Sequence, residues 1–157
     1  MPKVTPFLWF DTESEQAAEL YTSVFPNSRI LDVTRYGSAG PREEGLAMTV
    51  SFELDGQRVV ALNGGPDFKH SEAFSFTIDC DDQAEVDHYW EKLGEGGEHG
   101  PCGWLKDRFG LSWQVVPKRL PELLSDPDRE KAQRVMAAML KMRKLDVAEL
   151  EQAASSA

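Results

Sequence analysis

The segment HGPCGW, residues 99–104, places a histidine and a cysteine close together in the chain. A neighbouring imidazole can lower the pKa of a thiol, and the thiolate form is the nucleophile in covalent catalysis. Cys102 is therefore a candidate nucleophile, with His99 as the activating group. Cysteine is also a common small apolar residue of protein cores, so an ordinary packing role for Cys102 is the alternative.

Gln114 is a second candidate, because its amide interrupts the apolar, strand-like run LSWQVVP, residues 111–117. An amide side chain can donate and accept hydrogen bonds at the same time. Gln114 could therefore contact a polar ligand in a cleft. The alternative is a buried amide whose partner is a backbone group, with no role in ligand binding.

The composition restricts the classes of function. The chain has 157 residues, 41% of them hydrophobic, and its 17 basic and 27 acidic residues give a net charge of −10. Such an acidic surface repels phosphate backbones, so we expect no nucleic-acid partner. The sequence has no apolar run of about 20 residues and no secretory signal, which favours a cytoplasmic protein without a membrane partner.

An internal repeat organises most of the chain. FDTESEQAAELY, residues 10–21, resembles IDCDDQAEVDHY, residues 78–89, since in each an Asp follows an apolar residue and a Tyr follows that Asp at the same interval. Each stretch follows an extended apolar run and continues with apolar residues at helical spacing. Asp82 and Glu85 have the spacing of a capping box at the start of the second helix.

Strand-like runs follow each predicted helix. RILDVTRY, LAMTVSFEL and QRVVALN come after the first helix, with a tight turn at LDG, residues 54–56. A glycine-rich stretch and LSWQVVP come after the second. The pattern predicts an α+β fold in which a β-α-β-β-β module occurs twice. The first module is predicted at residues 1–65 and a shorter second copy at residues 66–117.

The tail, residues 118–157, has no strand pattern and is predicted to form helices. Asp126 is the predicted cap of one helix, with Pro127 at its first position, and Asp146 with Glu149 starts another. The first of these helices carries an apolar stripe of Ala132, Val135, Met136, Met139 and Leu140. Such a stripe is typical of ordinary packing, and the alternative is an interface with a second subunit.

Two β-α-β-β-β modules with these residues resemble the vicinal oxygen chelate superfamily, the glyoxalase and bleomycin-resistance fold. Within it, GGEHGPCGWLKDRFGLSWQVVP, ALNGGPDF and MLKMRKLDVAELEQA are similar to the PhnB-like branch, often labelled 3-demethylubiquinone-9 3-methyltransferase-like. The resemblance spans about residues 4–153. It implies that each module curls a mixed sheet around a cleft with its helix outside, and that the protein forms a homodimer.

The family label raises methyl transfer as a hypothesis. An S-adenosylmethionine enzyme of the common kind has a glycine-rich loop between a strand and a helix of a doubly wound sheet. The glycines of GEGG, residues 94–97, follow a helix instead, and they indicate a turn. Lys106, Asp107 and Arg108 likewise predict a solvated turn, and a role of Lys106 in the cleft is the alternative. We therefore expect no methyl transfer and no cofactor.

Metal-dependent members of the superfamily hold a divalent ion, and the resemblance places its ligands here at Thr5, Ala61, Ala73 and Gln114. Gln114 corresponds to a glutamate that follows a turn glycine, which is Gly110 in this sequence. A divalent ion needs several strong donors, above all carboxylates or imidazoles. Threonine, alanine and one neutral amide cannot supply them, so we expect no catalytic metal.

Side chains alternate across a strand, so the same positions predict which residues share the cleft. The opposite face is then wholly apolar and comprises Leu8, Phe10, Val60, Leu62, Phe74, Phe76, Ile78, Trp113 and Val115. The predicted ligand-binding cleft mixes aromatic walls with small, hydroxyl and amide side chains. It comprises Phe7, Trp9, Val59, Ala61, Asn63, Ala73, Ser75, Thr77, Cys102, Trp104, Ser112 and Gln114.

Three functions fit these features. The first is a metal-free protein that binds a small organic ligand in the cleft, of the binding or sequestering kind known from antibiotic resistance. The second is an enzyme of unknown reaction, an isomerase, a lyase or a dioxygenase-like protein, that recruits a divalent metal. The third is an interaction protein that acts through its dimer and its helical tail.

Overall fold

The computed structural model of the protein describes residues 2–156. The chain divides into two units, Met1–His70 and Ser71–Ala157, and each contains one four-stranded mixed sheet. The predicted α+β fold with a repeated module is confirmed. Within the described residues, no helix is long and apolar enough to cross a membrane.

The first unit contains strand β1 (Phe7–Phe10), helix α1 (Ser14–Val24) and strands β2 (Arg29–Arg35), β3 (Ala47–Leu54) and β4 (Gln57–Asn63). Its strand order is β1-β4-β3-β2, in which β1 and β4 are parallel and the other neighbours antiparallel. Helix α1 packs on one face of this sheet, where the Tyr21 and Phe52 rings lie 6.2 Å apart.

The second unit contains strand β5 (Ser75–Cys80), helix α2 (Gln83–Gly94) and strands β6 (Glu98–His99), β7 (Trp104–Lys106) and β8 (Ser112–Pro117). Its order, β5-β8-β7-β6, repeats that of the first sheet, again with one parallel pair, β5 and β8. Strands β6 and β7 are short and lie within the glycine-rich stretch, which explains why the second copy is shorter.

The predicted Asp82 cap of α2 is confirmed, whereas Glu85 bonds to Asp81, the residue before the cap, and not to the Asp82 N–H as in a regular capping box. The Asp82 carboxylate accepts a hydrogen bond from the Glu85 backbone N–H at 2.9 Å, and the Glu85 carboxylate accepts one from the Asp81 N–H at 2.6 Å. Val86, Tyr89 and Leu93 of this helix are buried. Because these apolar residues recur at helical spacing, α2 covers one face of the second sheet.

The tail forms helices α3 (Arg119–Leu124), α4 (Arg129–Met139) and α5 (Val147–Ser155). Their apolar side chains and those of the α4–α5 connection form one buried cluster, Leu120, Leu123, Val135, Met142, Leu145, Leu150 and Ala154. Ala132 and Val135 of the predicted stripe are buried, whereas Leu140 is exposed. The tail is therefore part of the core of the second unit.

Two details of the tail differ from the sequence prediction. Helix α4 is capped by Asp128, whose carboxylate accepts from the Lys131 N–H at 3.2 Å, and not by Asp126. Asp126 instead accepts from the Asp128 N–H at 2.9 Å, so it closes a turn in front of the helix. The six-residue helix α3 is too short to show a periodic pattern. The predicted cap of α5 is confirmed, since Asp146 accepts from the Glu149 N–H at 3.0 Å.

Candidate functional site

The register of β1 and β4 sets the two faces of the first sheet. Leu8 pairs with Ala61 and Phe10 pairs with Asn63, so these four side chains point to the same side. That side is covered by α1, because the amide of Asn63 accepts a hydrogen bond from the first helical N–H, that of Ser14. We term the face of each sheet that points away from the helix of its own unit the open face.

The prediction that β4 presents Val59, Ala61 and Asn63 to the cleft is wrong by one residue. These residues are fully buried on the helix-covered side, and Val60 and Leu62 share the open face with Phe7 and Trp9. Residues 59–62 of β4 are apolar on both faces, so the alternation of residue types does not distinguish the two faces.

Asn63 has a structural role that its position in the sequence did not reveal. Its side-chain oxygen accepts from the Ser14 N–H at 2.9 Å, and its side-chain nitrogen donates to the Ala47 carbonyl at 3.0 Å. The Tyr36 hydroxyl donates to the backbone carbonyl of Asn63 at 2.6 Å. Asn63 thus satisfies the first turn of α1 and links it to β3.

The faces of the second sheet agree with the prediction. Ser75 pairs with Ser112, and Gln114 pairs with both Thr77 and Trp104, so these five side chains share the open face. The alternate residues of β5 and β8 are Phe76, Ile78, Trp113 and Val115. Ala73 lies outside the strand, in the turn that precedes β5.

Gln114 is partly buried on this open face, and its partner is a side chain. The amide nitrogen donates to the Ser75 hydroxyl at 3.0 Å, so the backbone partner considered for a buried amide is not the arrangement found. Since the pair joins neighbouring strands on the same face, it fixes the orientation of both polar groups.

A cavity of about 260 Å³ lies beside this face at the β6–β7 edge of the sheet. Ser112, Trp104 and Lys106 from the sheet line it, together with Glu72, Glu98 and the 99–101 segment. Ser112 is only 1% exposed, and its hydroxyl oxygen has no hydrogen-bond partner in the described part of the chain. A buried hydroxyl without a partner costs about 1–3 kcal/mol. Less than 1 Å² of this oxygen is accessible, so it becomes a contact for a bound molecule when the Ser112 side chain turns toward the cavity.

Charged groups surround the cavity. The Lys106 ammonium lies 2.5 Å from the Glu72 carboxylate, and Lys106 pairs across the β6–β7 ladder with Glu98. Hydrogen bonding and attraction to Glu72 raise the pKa of Lys106, with a smaller contribution from Glu98, and the same ion pair lowers the pKa of Glu72. Lys106 and Glu72 therefore form a charged pair at neutral pH.

Asp107 lies at the end of β7 and is buried, whereas the sequence predicted a solvated turn there. One carboxylate oxygen accepts from the Phe109 and Leu111 backbone N–H groups at 2.9 and 3.1 Å, and the other accepts from the Trp113 indole N–H at 2.9 Å. This carboxylate holds the turn between Lys106 and Ser112, so it positions both residues beside the cavity.

Cys102 lies in the turn between β6 and β7. Cys102 and Gly103 have φ of 56° and 83°, and the Trp104 N–H donates to the Pro101 carbonyl, which is the geometry of a two-residue hairpin turn. The Cys102 thiol lies 3.6 Å from the Met139 carbonyl. The proposed activating group has a different partner, since His99 Nε2 lies 2.9 Å from the Trp90 carbonyl and its ring stacks on that indole.

The glycines of GEGG are explained by close packing. A Cβ atom at Gly94 would lie 2.0 Å from His99 Nε2, and one at Gly97 would lie 2.1 Å from the Lys106 carbonyl oxygen. Any larger residue would push the β6–β7 hairpin away from the end of α2. The cluster thus serves the packing of the second unit, as expected for a turn.

The residues at the superfamily's metal-ligand positions do not fit a divalent ion. Ala61 is buried under α1, and the open-face positions of β4 on either side of it, Val60 and Leu62, carry no donor atom. Gln114 provides one neutral amide that already bonds to Ser75. Among residues 2–156, no three His, Cys, Asp or Glu side chains form a group that could hold a metal ion.

Comparison with known proteins identifies relatives of this chain. Residues 2–116 match the family model described as 3-demethylubiquinone-9 3-methyltransferase. A solved PhnB protein from Bacillus cereus is 31% identical, covers 74% of this chain and 99% of its own, and has a TM-score of 0.67. A search of curated proteins gave no match.

More distant solved structures share the fold. A Pseudomonas aeruginosa protein is 19% identical over 75% of this chain and 98% of its own, with a TM-score of 0.63. The fosfomycin resistance protein FosX from Listeria monocytogenes is 17% identical over 80% of this chain and 98% of its own, with a TM-score of 0.55. The chain therefore belongs to the 3-demethylubiquinone-9 3-methyltransferase-like, PhnB-like family.

Proposed function

We propose that the protein binds a small organic molecule on the open face of its second sheet, without a divalent metal. The observation that carries this proposal is the buried, unpartnered Ser112 hydroxyl beside a cavity of about 260 Å³. Trp104 supplies an aromatic wall, and Gln114 and Ser75 supply fixed polar groups nearby. Ligand sites commonly combine apolar walls with a few oriented polar groups.

The open face of the first sheet supports this site less well. The open-face residues that pair between β1 and β4, Phe7 and Trp9 with Val60 and Leu62, are apolar, and Phe7 is 60% exposed. A second cavity of about 440 Å³ lies at the β3–β4 hairpin and is lined by charged groups, among them Asp32, Glu53 and Arg58. Within the described residues, no buried polar atom that lacks a hydrogen bond belongs to the lining of this second cavity.

We propose that this chain does not catalyse the methyl transfer that the name of its family describes. A doubly wound sheet is mostly parallel, whereas each sheet here has one parallel pair of strands. The glycine cluster at residues 94–97 packs against His99 and Lys106. We therefore infer that an S-adenosylmethionine site of the common kind is not formed.

A thermal-shift screen of a metabolite and antibiotic library tests the proposal, run with and without Mn²⁺, Ni²⁺ and Zn²⁺. A specific ligand should raise the melting temperature in proportion to the logarithm of its concentration. The rise should occur without metal and should disappear in Ser112→Ala, whose own stability should equal or exceed that of the wild type because the lost hydroxyl has no partner.

Ser51→Ala is the matched control, because it removes a hydroxyl from the open face of the first sheet. The control should leave the ligand-induced shift unchanged. A large shift with metal alone that is lost in Gln114→Ala would contradict the metal-free site and favour the alternative enzyme with a recruited metal.

We also propose a homodimer, which the family resemblance implies. The tail alone does not support a pure interaction role, because its apolar residues bury one another in a cluster that also contacts Val116 of β8. Sedimentation equilibrium of the full chain should give twice the monomer mass of 17.6 kDa. A monomer at micromolar concentration would contradict this proposal without affecting the ligand site.

A further inference from the structure

Strand β4 ends at Asn63, and the next residue is Gly64. An asparagine in this context can form a succinimide, because the backbone nitrogen of the following residue attacks the carbonyl carbon of the asparagine side chain. Glycine favours the attack, since it has no Cβ in the way and its backbone turns easily. The other asparagine of the chain, Asn27, precedes a serine, whose side chain hinders the same approach.

The packing of the first unit requires both members of the pair. The Asn63 amide accepts from the Ser14 N–H and donates to the Ala47 carbonyl, so it satisfies the start of α1. A Cβ atom at Gly64 would overlap the Trp9 indole ring, so no larger residue fits there. Close packing therefore places a chemically reactive dipeptide at the end of a central strand.

In the folded chain, four hydrogen bonds keep the pair out of the reactive geometry. Besides the two bonds of the side chain, the Tyr36 hydroxyl donates to the Asn63 backbone carbonyl at 2.6 Å, and the Gly64 N–H donates to the Phe10 carbonyl at 2.8 Å. The attack requires rotation about the Cα–C bond of Asn63, which moves its carbonyl oxygen and the Gly64 nitrogen together. Both backbone bonds must therefore break first, and Asn63 is only 1% exposed.

We propose that Asn63 is a deamidation site that reacts only when the β4 end of the first unit opens. The Gly64 nitrogen loses its proton and bonds to the carbonyl carbon of the Asn63 side chain, and the carbon–nitrogen bond of the amide breaks with release of ammonia. Solvent water then adds to either carbonyl of the succinimide, which gives aspartate or isoaspartate at position 63. The reaction needs no oxidant or reductant.

Both products weaken the structure that protected the site. In the aspartate form, one oxygen still accepts from the Ser14 N–H, but the other replaces the N–H₂ donor and meets the Ala47 carbonyl oxygen. A buried carboxylate oxygen without a donor is unfavourable. In the isoaspartate form, the main chain gains one carbon, which ends the pairing of position 63 with Phe10. The modification therefore makes further opening more frequent and marks chains that have opened.

Peptide mapping tests the site. The folded chain and the chain in guanidinium chloride are incubated in H₂¹⁸O at mildly alkaline pH, so that ¹⁸O enters only molecules that react before digestion. Trypsin releases residues 59–69, in which Asn63 is the single asparagine. Deamidation should be at least about 100-fold slower in the folded chain, because the unfolded fraction of an ordinary protein is about 10⁻³ or less.

Two variants that each remove one hydrogen bond separate opening at β4 from unfolding elsewhere. Tyr36→Phe removes the hydroxyl that donates to the Asn63 carbonyl, so the folded variant should deamidate about fivefold faster than the wild type. Asp82→Ala is the matched control, because it removes the cap of α2 in the second unit, and it should leave the rate unchanged. Asn63→Asp installs one product and should lower the urea midpoint.

Each part of the proposal has an outcome that overturns it. Equal rates in folded and unfolded chains, or no labelled product at position 63 in guanidinium chloride, overturn the folding-dependent site. If Tyr36→Phe and Asp82→Ala change the rate equally, unfolding of the whole chain controls the reaction and opening of the β4 end does not. If Asn63→Asp keeps the wild-type midpoint, the modification does not promote further opening.

Discussion

The two units have the same strand order, yet their sheets present different chemistry on their open faces. Apolar side chains of β1 and β4 occupy this face in the first unit, namely Phe7, Trp9, Val60 and Leu62. Polar side chains of β5 and β8 occupy it in the second, namely Ser75, Thr77, Ser112 and Gln114. A duplicated backbone thus carries two different surfaces, and in the second a side-chain hydrogen bond between Gln114 and Ser75 joins the two parallel strands.

The units also differ in what holds their hairpins and helices. In the second unit the tail and a buried carboxylate fix the β6–β7–β8 hairpins, whereas the β3–β4 hairpin of the first unit has an exposed two-residue turn. Helix α2 is capped by the adjacent Asp82, and α1 by the distant Asn63. Four pairs of substitutions test these differences.

The largest difference is expected at two glycines with positive φ. A Cβ at Gly103 would lie 2.8 Å from the Val115 carbonyl oxygen and 2.9 Å from Leu145 Cδ1, whereas one at Gly45 would have no neighbour within 4 Å. Gly45→Ala should lower the free energy of unfolding by about 1 kcal/mol, because alanine is strained at a positive φ. Gly103→Ala should cost about 2–4 kcal/mol, because overpacking adds to that term. Urea denaturation followed by tryptophan fluorescence measures both, and equal losses would contradict the docking of the tail on this turn.

The two turn aspartates should differ next. In Asp107→Asn, an amide N–H₂ meets either the Trp113 indole N–H or the backbone N–H groups of the turn, so one buried donor loses its acceptor. We expect a loss of about 2–3 kcal/mol in unfolding free energy. Asp55→Asn, in the exposed β3–β4 turn, should change it by less than about 0.5 kcal/mol. Comparable effects of the two substitutions, measured by urea denaturation, would show that the Asp107 carboxylate does not hold its turn.

The two helix caps should differ less. Asn63→Ala leaves the Ser14 N–H and the Ala47 carbonyl without their buried partner, which should cost about 2 kcal/mol. Asp82→Ala removes an exposed local cap and should cost about 1 kcal/mol. Hydrogen exchange at the first turn of each helix localises the effects. Faster exchange at α1 in Asp82→Ala, or at α2 in Asn63→Ala, would contradict these assignments.

The smallest effect concerns equivalent positions of the repeat, the exposed Thr12 and the buried Cys80. Burial, with the nearby Glu85 and Asp79 charges, raises the pKa of the Cys80 thiol from 9.0 to about 12. The unfolded chain therefore loses this proton first. The contribution of the protonated thiol to the free energy of unfolding is complete below pH 9 and falls as the pH rises toward 12. At pH 10 this contribution has decreased by about 1 kcal/mol.

Cys80→Ala should reduce the loss of stability between pH 8 and pH 10, as measured by urea denaturation at each pH. Thr12→Ala, at the equivalent exposed position of the first unit, is the control, and it should retain the wild-type pH dependence because it removes no titratable group. If Cys80→Ala leaves the pH dependence unaltered, ionisation of the buried thiol does not contribute to alkaline destabilisation.

The sequence was sufficient to predict the repeated module, because the patterns around Asp11 and Asp79 carry both the helical period and the strand boundaries. It was not sufficient for the faces of β4, where apolar residues occupy both sides. The repeat itself contained the missing information. Val60 follows Gly56 at the same interval as Gln114 follows Gly110, so aligning the two turns would have placed Val60, and not Ala61, on the open face.

The open face of the second sheet could be predicted in part. Alternation placed Ser75, Thr77, Ser112 and Gln114 on one face, as the register shows. The burial of Asp107 and the position of Glu72 beside Lys106 could not be read from local patterns, because both depend on contacts between separate segments. The local sequence DRFG is typical of a charged turn. Asp107, its first residue, is buried because its carboxylate accepts hydrogen bonds from the Trp113 indole and from backbone N–H groups of the turn.

The hairpin turn of the second unit bonds through its backbone to the α4–α5 connection, since the Cys102 N–H donates to Met142 and the Gly103 N–H to Arg143. During synthesis, the segment around residue 100 leaves the ribosome well before its partners at residues 142–143. The first unit can complete its sheet while translation continues. The second must wait for its last helices, so premature termination in this region would release a nascent chain with a finished first half and an unfinished second one.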